Sequence, residues 1–122
     1  MMIAQLLAWQ WRDYPRYHQH PTNLLLHIVA VPLFLLASVL LVVAAVRLSP
    51  GLLLAAFVGI VVSIVIQGRG HRLEAVPPEP FTGPTNAIGR LLCEQWVTFP
   101  RFVLSGGWSR NLARAARGER AD

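Results

Sequence analysis

Three of the chain's four histidines, His18, His20 and His27, crowd into the segment Tyr17-His18-Gln19-His20-Pro21-Thr22-Asn23-Leu24-Leu25-Leu26-His27, where a long apolar run begins. Imidazole titrates near neutrality and is the commonest metal ligand, so proton transfer and metal binding are the chemistries this segment can support. Pro21 suits a first helical position, because it has no N–H to leave unpaired and its φ is already helical, with His20 as the cap. At 100° per residue from His27, Asn23 lies about 40° to one side and His20 about 20° to the other, so the three share a face. His18 precedes the helix on a loop free to fold back over that face.

The fourth histidine lies in Gln67-Gly68-Arg69-Gly70-His71-Arg72-Leu73-Glu74. If a helix continues through the two glycines, Gln67, His71 and Glu74 stand at i, i+4 and i+7, within about 60° of one another. Neutral imidazoles beside a carboxylate suit a divalent transition metal with open coordination positions, as in non-haem Fe(II) oxygenases, and zinc accepts the same ligands. The spacing matches no short metal motif such as H-E-x-x-H, and neither a phosphate-binding glycine loop nor a Ser-His-Asp arrangement is present. A single histidine at a helix end is often only hydrogen-bonded at an interface. That reading weakens for the set, because His27 falls inside the apolar run.

The elements that must position these groups follow from hydropathy and charge. The 122 residues are 54% apolar and 14% charged, too apolar for an ordinary soluble domain, and suggest a single membrane domain over 1–122. From Leu24 to Val46 a helix rises about 34 Å, enough to cross a hydrocarbon core of about 30 Å. Pro32 inside it frees the carbonyl of Ile28, which then needs a donor such as a His ring or a water. Arg47-Leu48-Ser49-Pro50-Gly51 is a turn by composition, and the apolar run from Gly51 to Ile66 rises about 24 Å, a short second span. Two spans over about 22–46 and 51–73 form an antiparallel hairpin, the competing reading being a soluble apolar core. The start of the first and the end of the second then share one side, which gathers the four histidines, Glu74 and the amides of Asn23 and Gln67.

All 11 basic residues are arginine, the net charge is +5, and the lone Cys93 excludes an internal disulfide. Arg12, Arg16, Arg69, Arg72 and Arg90 flank the histidine side against Arg47 at the turn, so the positive-inside rule places that side and both termini in the cytoplasm. No RNA- or DNA-binding motif accompanies the arginines, which argues against a nucleic-acid partner. Residues 1–16 carry their charge after the apolar patch and lack a small-residue cleavage site, unlike a secretory signal. An interfacial helix anchored by Trp9 and Trp11 fits better than a frayed end. Residues 75–86, with four prolines, read as a loop. From about 87 to 104 an apolar stripe of Ile88, Leu91, Leu92, Trp96, Phe99, Phe102 and Val103 opposes Arg90, Glu94 and Arg101. Arg90 and Glu94 read as a solvated i, i+4 pair, Gln95 as needing a buried partner, and Pro100 favours an in-plane or re-entrant helix over a third span. The tail 109–122 reads as an exposed anionic-lipid contact or a disordered end.

His18-x-x-Pro21-x-Asn23-x-x-x-His27, with Tyr17 before it and Val31-Pro32 after it, followed by Gln67-x-x-Gly70-His71 and Glu74, resembles the Mpo-type membrane proteins over residues 14–86. Fungal members of that family are endoplasmic-reticulum Fe(II)-dependent dioxygenases that shorten 2-hydroxy fatty acids by one carbon. They are longer, with more membrane helices between the two motifs. The segment from Pro80 to Trp108 looks like that of short bacterial relatives. The resemblance implies His18, His27 and His71 as iron ligands, Glu74 as a fourth ligand or supporting group, and Asn23 and Gln67 as orienting amides. His20 stands outside the shared pattern, as an alternative ligand or a cap.

The resulting expectation is an all-α membrane protein: a two-helix transmembrane hairpin with an N-terminal interfacial helix and a C-terminal amphipathic or re-entrant helix. It would lie in a bacterial inner membrane and act as an Fe(II) dioxygenase, with O2 as co-substrate, on a 2-hydroxy acyl chain held between the hairpin and the amphipathic helix. Arg69 or Arg72 would pair with the substrate carboxylate, although arginines at helix ends commonly just snorkel. A homo-oligomer is expected, with Gly59 and nearby alanines at the contact. The alternatives are a non-catalytic hairpin protein, whose histidines bond freed backbone groups, and a zinc-dependent lipid hydrolase.

Overall fold

The computed structural model describes residues 2–119, and every regular element among them is helical. Helix α1 spans Ile3–Tyr17, α2 Pro21–Val46, α3 Pro50–His71 and α4 Pro84–Cys93. A π-helical segment, Glu94–Thr98, joins α4 to α5, Phe99–Leu104, and α6 spans Gly107–Ala116.

Helices α2 and α3 form the antiparallel hairpin. Pro21 and Pro50 each open a helix at its first turn, where a missing N–H costs nothing. His20 Nδ1 accepts from Thr22 N at 3.1 Å and Ser49 Oγ from Leu52 N at 3.3 Å, which caps both starts. Helix α2 runs through Pro32 without interruption. Gly59 lets the two helices approach closely, because a Cβ there would lie 3.0 Å from Ala37 Cβ. Gly59 is thus engaged inside the hairpin.

Both helices are long and apolar enough to cross a membrane, and they bury only 28% and 17% of their most apolar windows. Leu36, Val42, Leu54 and Phe57 are all more than 60% exposed. So large an exposed apolar surface is poorly suited to water and is of the kind that meets lipid or a protein partner.

The remaining helices gather at the end of the hairpin where α2 begins and α3 ends. The buried face of α1 is Leu6, Gln10 and Tyr14, one per helical turn, and a small core of Tyr14, Leu24, Val31, Phe99 and Phe102 forms where α1, α2 and α5 meet. The apolar stripe expected along 87–104 does not act as a unit. Phe99 and Phe102 are buried, whereas Ile88, Leu92 and Trp96 are about half exposed and Gln95 and Thr98 are buried instead. The π segment inserts a residue into the turn and shifts the register there. Gln95 and Thr98 turn inward because their polar side chains find partners there, Gln67 and Gln10.

Most of the basic tail is a docked helix. Gly106, at φ 85°, ends α5 in a left-handed conformation, and α6 follows as a docked helix. Trp108 Nε1 donates to Leu24 O at 2.9 Å, and Asn111 Nδ2 donates to Pro15 O and His18 O at 3.0 and 2.7 Å. Arg110, Arg114 and Arg117 remain on the exposed side. The end of the expected tail, 120–122, lies outside the described residues.

Candidate metal centre

The loop between α1 and α2 carries His18, α2 carries His27, and α3 ends in His71. Their ring centroids form a nearly equilateral triangle, with sides of 4.9, 4.8 and 4.9 Å, and each pair of rings stands close to perpendicular. His18 and His27 are almost completely buried, at 2% and 0% exposure. The fourth group is Glu94, the first residue of the π segment. Its Oε2 lies 3.5 Å from His18 Nε2 and 3.9 Å from His27 Nε2. One ligand atom from each of His18, His27, His71 and Glu94 can be chosen so that all lie within 4.8 Å of one another.

The orientation of two rings is set by the backbone. His18 Nδ1–H donates to Tyr14 O at 2.9 Å, and His27 Nδ1–H donates to Asn23 O at 3.1 Å, each one turn back. A carbonyl can only accept, so Nδ1 carries the proton in both and Nε2 carries the lone pair. Both Nε2 atoms are buried without a hydrogen-bond partner among the described residues, and so is His71 Nδ1. Imidazole lone pairs and a carboxylate turned toward one another need a cation among them, a proton or a metal ion. An imidazole whose far N–H is held by a carbonyl is the usual form of a metal-ligating histidine. The donor set therefore fits a divalent transition metal.

Tyr14 supports two members of the set. Its hydroxyl donates to Glu94 Oε2 at 2.7 Å, and its ring stacks on His18 at 3.8 Å between centroids. Burial alone would raise the Glu94 carboxyl, but positive charge on the facing imidazoles, His18 foremost and then His27 and His71, outweighs it when the cluster holds a proton and keeps the carboxyl down at about 2. The Tyr14 phenol is driven well above its ordinary value, first by burial and then by the Glu94 charge.

Of the residues singled out from the sequence, His18, His27 and His71 come together, and the others take different places. Glu74 lies beyond the end of α3, which stops at His71, and its carboxylate accepts from Gln19 N, His20 N and Asn23 Nδ2 at 2.7–3.0 Å. It sits at the positive end of α2 and ties the end of α3 to it, outside the group of ligand atoms, whose acid is Glu94. His20 is the cap of α2 and stays outside the cluster. Asn23 orients by backbone and side chain, its carbonyl holding His27 and its amide holding Glu74. The His27 ring thus bonds the Asn23 carbonyl, and not the Ile28 carbonyl that Pro32 frees. Gly70 is required at this crossing, because a Cβ there would collide with Asn23 Oδ1.

Gln67 does not touch the histidines through a hydrogen bond. Its amide pairs reciprocally with that of Gln95 at 2.9 and 2.8 Å and also donates to Ser63 Oγ, which in turn donates to Ala30 O. Gln95 thereby has the buried partner its position required. Across the same segment Thr98 Oγ1 donates to Gln10 Oε1 and Gln10 Nε2 donates to Arg90 O, so the π segment that presents Glu94 is fastened on both sides. Arg90 does not pair with Glu94. Its guanidinium donates to Pro80 O and Glu79 O and packs over the rings of Trp9 and Phe81.

A cavity of about 550 Å³ opens onto the cluster, with His18, His71, Tyr14 and Glu94 in its wall. Arg72 lines it and has no ion-pair partner among the described residues, whereas Arg69 is exposed and lies outside the lining.

Glu94 and Tyr14 are the residues that sequence reasoning missed. The available signal was cost: a carboxylate next to Gln95 inside an apolar helical segment needs internal partners, and a solvated pair with Arg90 supplies none.

Comparison with known proteins bears on the same region. No curated protein and no solved structure matches the chain. The family model described as 2-hydroxy-palmitic acid dioxygenase Mpo1-like matches residues 4–103, which include all four residues of the cluster. The chain belongs to the Mpo1-like family.

Proposed function

We propose that this protein is a membrane-embedded, Fe(II)-dependent dioxygenase that shortens 2-hydroxy fatty acids by one carbon. The observation that carries the reading is the His18–His27–His71–Glu94 cluster, half of it fully buried, at a cavity wall, in a chain whose family is named for a 2-hydroxy-palmitic acid dioxygenase. His18, His27, His71 and Glu94 would hold the metal. Three imidazoles and a carboxylate suit ferrous iron, which when bound supplies the dioxygen chemistry.

The chain's own residues do the rest. The carbonyls of Tyr14 and Asn23 keep the His18 and His27 lone pairs turned inward, and Tyr14 fixes the Glu94 carboxylate. Arg72, a cavity cation without an ion-pair partner among the described residues, takes the substrate carboxylate as a charge-assisted donor. Arginines crowd the cluster end of the hairpin and Arg47 stands alone at the turn, which supports a bacterial inner-membrane protein with both termini cytoplasmic. The bare apolar faces of α2 and α3 support self-association in the bilayer, and the mass of the protein in mild detergent tests it.

The deciding experiment is metal analysis of protein purified without oxygen, followed by turnover of 2-hydroxy palmitate. About one iron per chain, lost in His27→Ala and in Glu94→Ala, with one-carbon-shortened product, is the expected result. Zinc with no product favours the lipid hydrolase. Folded protein that takes up no metal favours the non-catalytic hairpin.

A further inference from the structure

Beyond its first turn, where Gly51 stands, α3 carries three glycines, and two have a steric reason: Gly59 admits Ala37, and Gly70 admits the Asn23 side chain. Gly68 has neither reason. A Cβ placed there meets no atom within 4 Å, and its φ is not in the left-handed region. Glycine in a helix interior is disfavoured against alanine, so the position carries a cost that no protein neighbour explains. Gly68 lies in the wall of the cavity that reaches the metal cluster.

The cavity has a direction along α3. Ile64, Gln67, Gly68 and His71 line it at i, i+3, i+4 and i+7, one continuous strip of the helix. The strip climbs about 10 Å from the His71 end toward Ile64, into the apolar span. Gln67 offers its methylenes there, since its amide is occupied by Gln95 and Ser63. Leu91 of α4 and Trp9 of α1 face the same space, and the proline loop closes it through Pro77, Pro78 and Phe81. The result is an apolar trough with ligating groups and Arg72 at one end and the membrane interior at the other. Its volume suits a ligand of small-molecule size.

We infer that this trough is an acyl-chain site, in which a fatty acid lies along the Ile64–Gly68–His71 strip with its carboxylate at the cluster, and that Gly68 sets the length of chain admitted. The inference rests on the proposed function for the orientation of the acid. The chain itself is assigned by the trough. A side chain at position 68 would project into the space the methylenes occupy, and each methylene kept out of an apolar site weakens binding by about fourfold.

The test uses the full-length protein in lipid nanodiscs and measures displacement of a fluorescent fatty acid by octanoate, laurate, palmitate and stearate. These acids lack the 2-hydroxyl, so binding is read without turnover. Wild type should bind the longer acids more tightly. In Gly68→Leu the ratio of stearate to octanoate affinity should fall by about tenfold or more, with Gly68→Ala intermediate and with helicity and metal content as in wild type. Neither variant threatens folding, because both replace a helical glycine whose Cβ direction is open. An unchanged chain-length profile in folded Gly68→Leu overturns the inference, whether or not 2-hydroxy acids are turned over. Wild type that binds none of the acids overturns it too. Chain-length-dependent binding that Gly68→Leu shortens, in a protein that leaves 2-hydroxy acids untouched, upholds the acyl site and removes the dioxygenase reading alone.

Discussion

Tyr14 and Glu94 stand 80 residues apart in the chain and meet through a 2.7 Å hydrogen bond from phenol to carboxylate. The contact joins the N-terminal helix to the π segment and ends on an oxygen that also faces His18 and His27. Each partner constrains the other: the phenol selects one orientation of the carboxylate, and the carboxylate keeps the phenol protonated.

Tyr14→Phe removes the hydroxyl and leaves the ring stacked on His18. Loss of a hydrogen bond to a charged acceptor costs about 1.5–3 kcal/mol, and loss of a group orienting a metal ligand weakens metal affinity by about 10–100-fold. The pH dependence follows from the raised folded-state value. The neutral phenol stabilises the fold fully below its ordinary value of 10.0, and that contribution is lost as pH rises above it. Thermal unfolding between neutral and strongly alkaline pH should show this loss in wild type and a smaller one in Tyr14→Phe. Equal slopes in the two proteins would remove Tyr14 from the account.

The two acids near the histidines separate by function. Glu94→Gln should abolish stoichiometric metal binding while the protein remains folded. Glu74→Gln should retain metal and lose about 1–2 kcal/mol of stability, because only the clamp on the start of α2 is weakened. Metal content and urea unfolding of both variants check the assignment, and the reverse pattern would return Glu74 to the centre.

The Gln67–Gln95 pair predicts a thermodynamic cycle. Gln95→Leu leaves the buried Gln67 amide short of partners and should cost about 1–3 kcal/mol, as should Gln67→Leu. The double variant should be destabilised by clearly less than the sum, since neither amide is then left stranded. Additive losses would mean that the two amides are not coupled.

Gly70→Ala places a methyl against the Asn23 amide, which Glu74 already holds, so Asn23 must move and carry the His27 carbonyl contact with it. A loss of about 1–3 kcal/mol is expected from the overpacking, together with weaker metal binding. Gly68→Ala, one residue pair away on the same helix, should be neutral or stabilising in the same unfolding measurement.

What the sequence determined by itself is local in origin. Apolar runs of membrane length, a turn at Arg47–Gly51 too short for anything but reversal, and Pro21 after His20 suffice to put His18, His27 and His71 at one end of a hairpin. Those inferences need only helical periodicity and antiparallel connectivity. The acid of the cluster lay beyond them. Glu74 follows His71 at a helical interval, yet α3 ends at His71 and the three donors around the start of α2 capture the carboxylate. Glu94 lies past a proline-rich loop whose path no periodicity encodes, in a segment where a π turn breaks the helical count. Its neighbour Arg90 is taken by the loop carbonyls and two aromatic rings, so the expected ion pair never forms. The apolar stripe of 87–104 misled for the same reason, because the π turn breaks the helical count there and turns Gln95 and Thr98 inward to their partners Gln67 and Gln10. The histidines were legible because their neighbours in sequence place them. Glu94 and Tyr14 were decided by the tertiary structure, because each is defined by a partner far away in the chain.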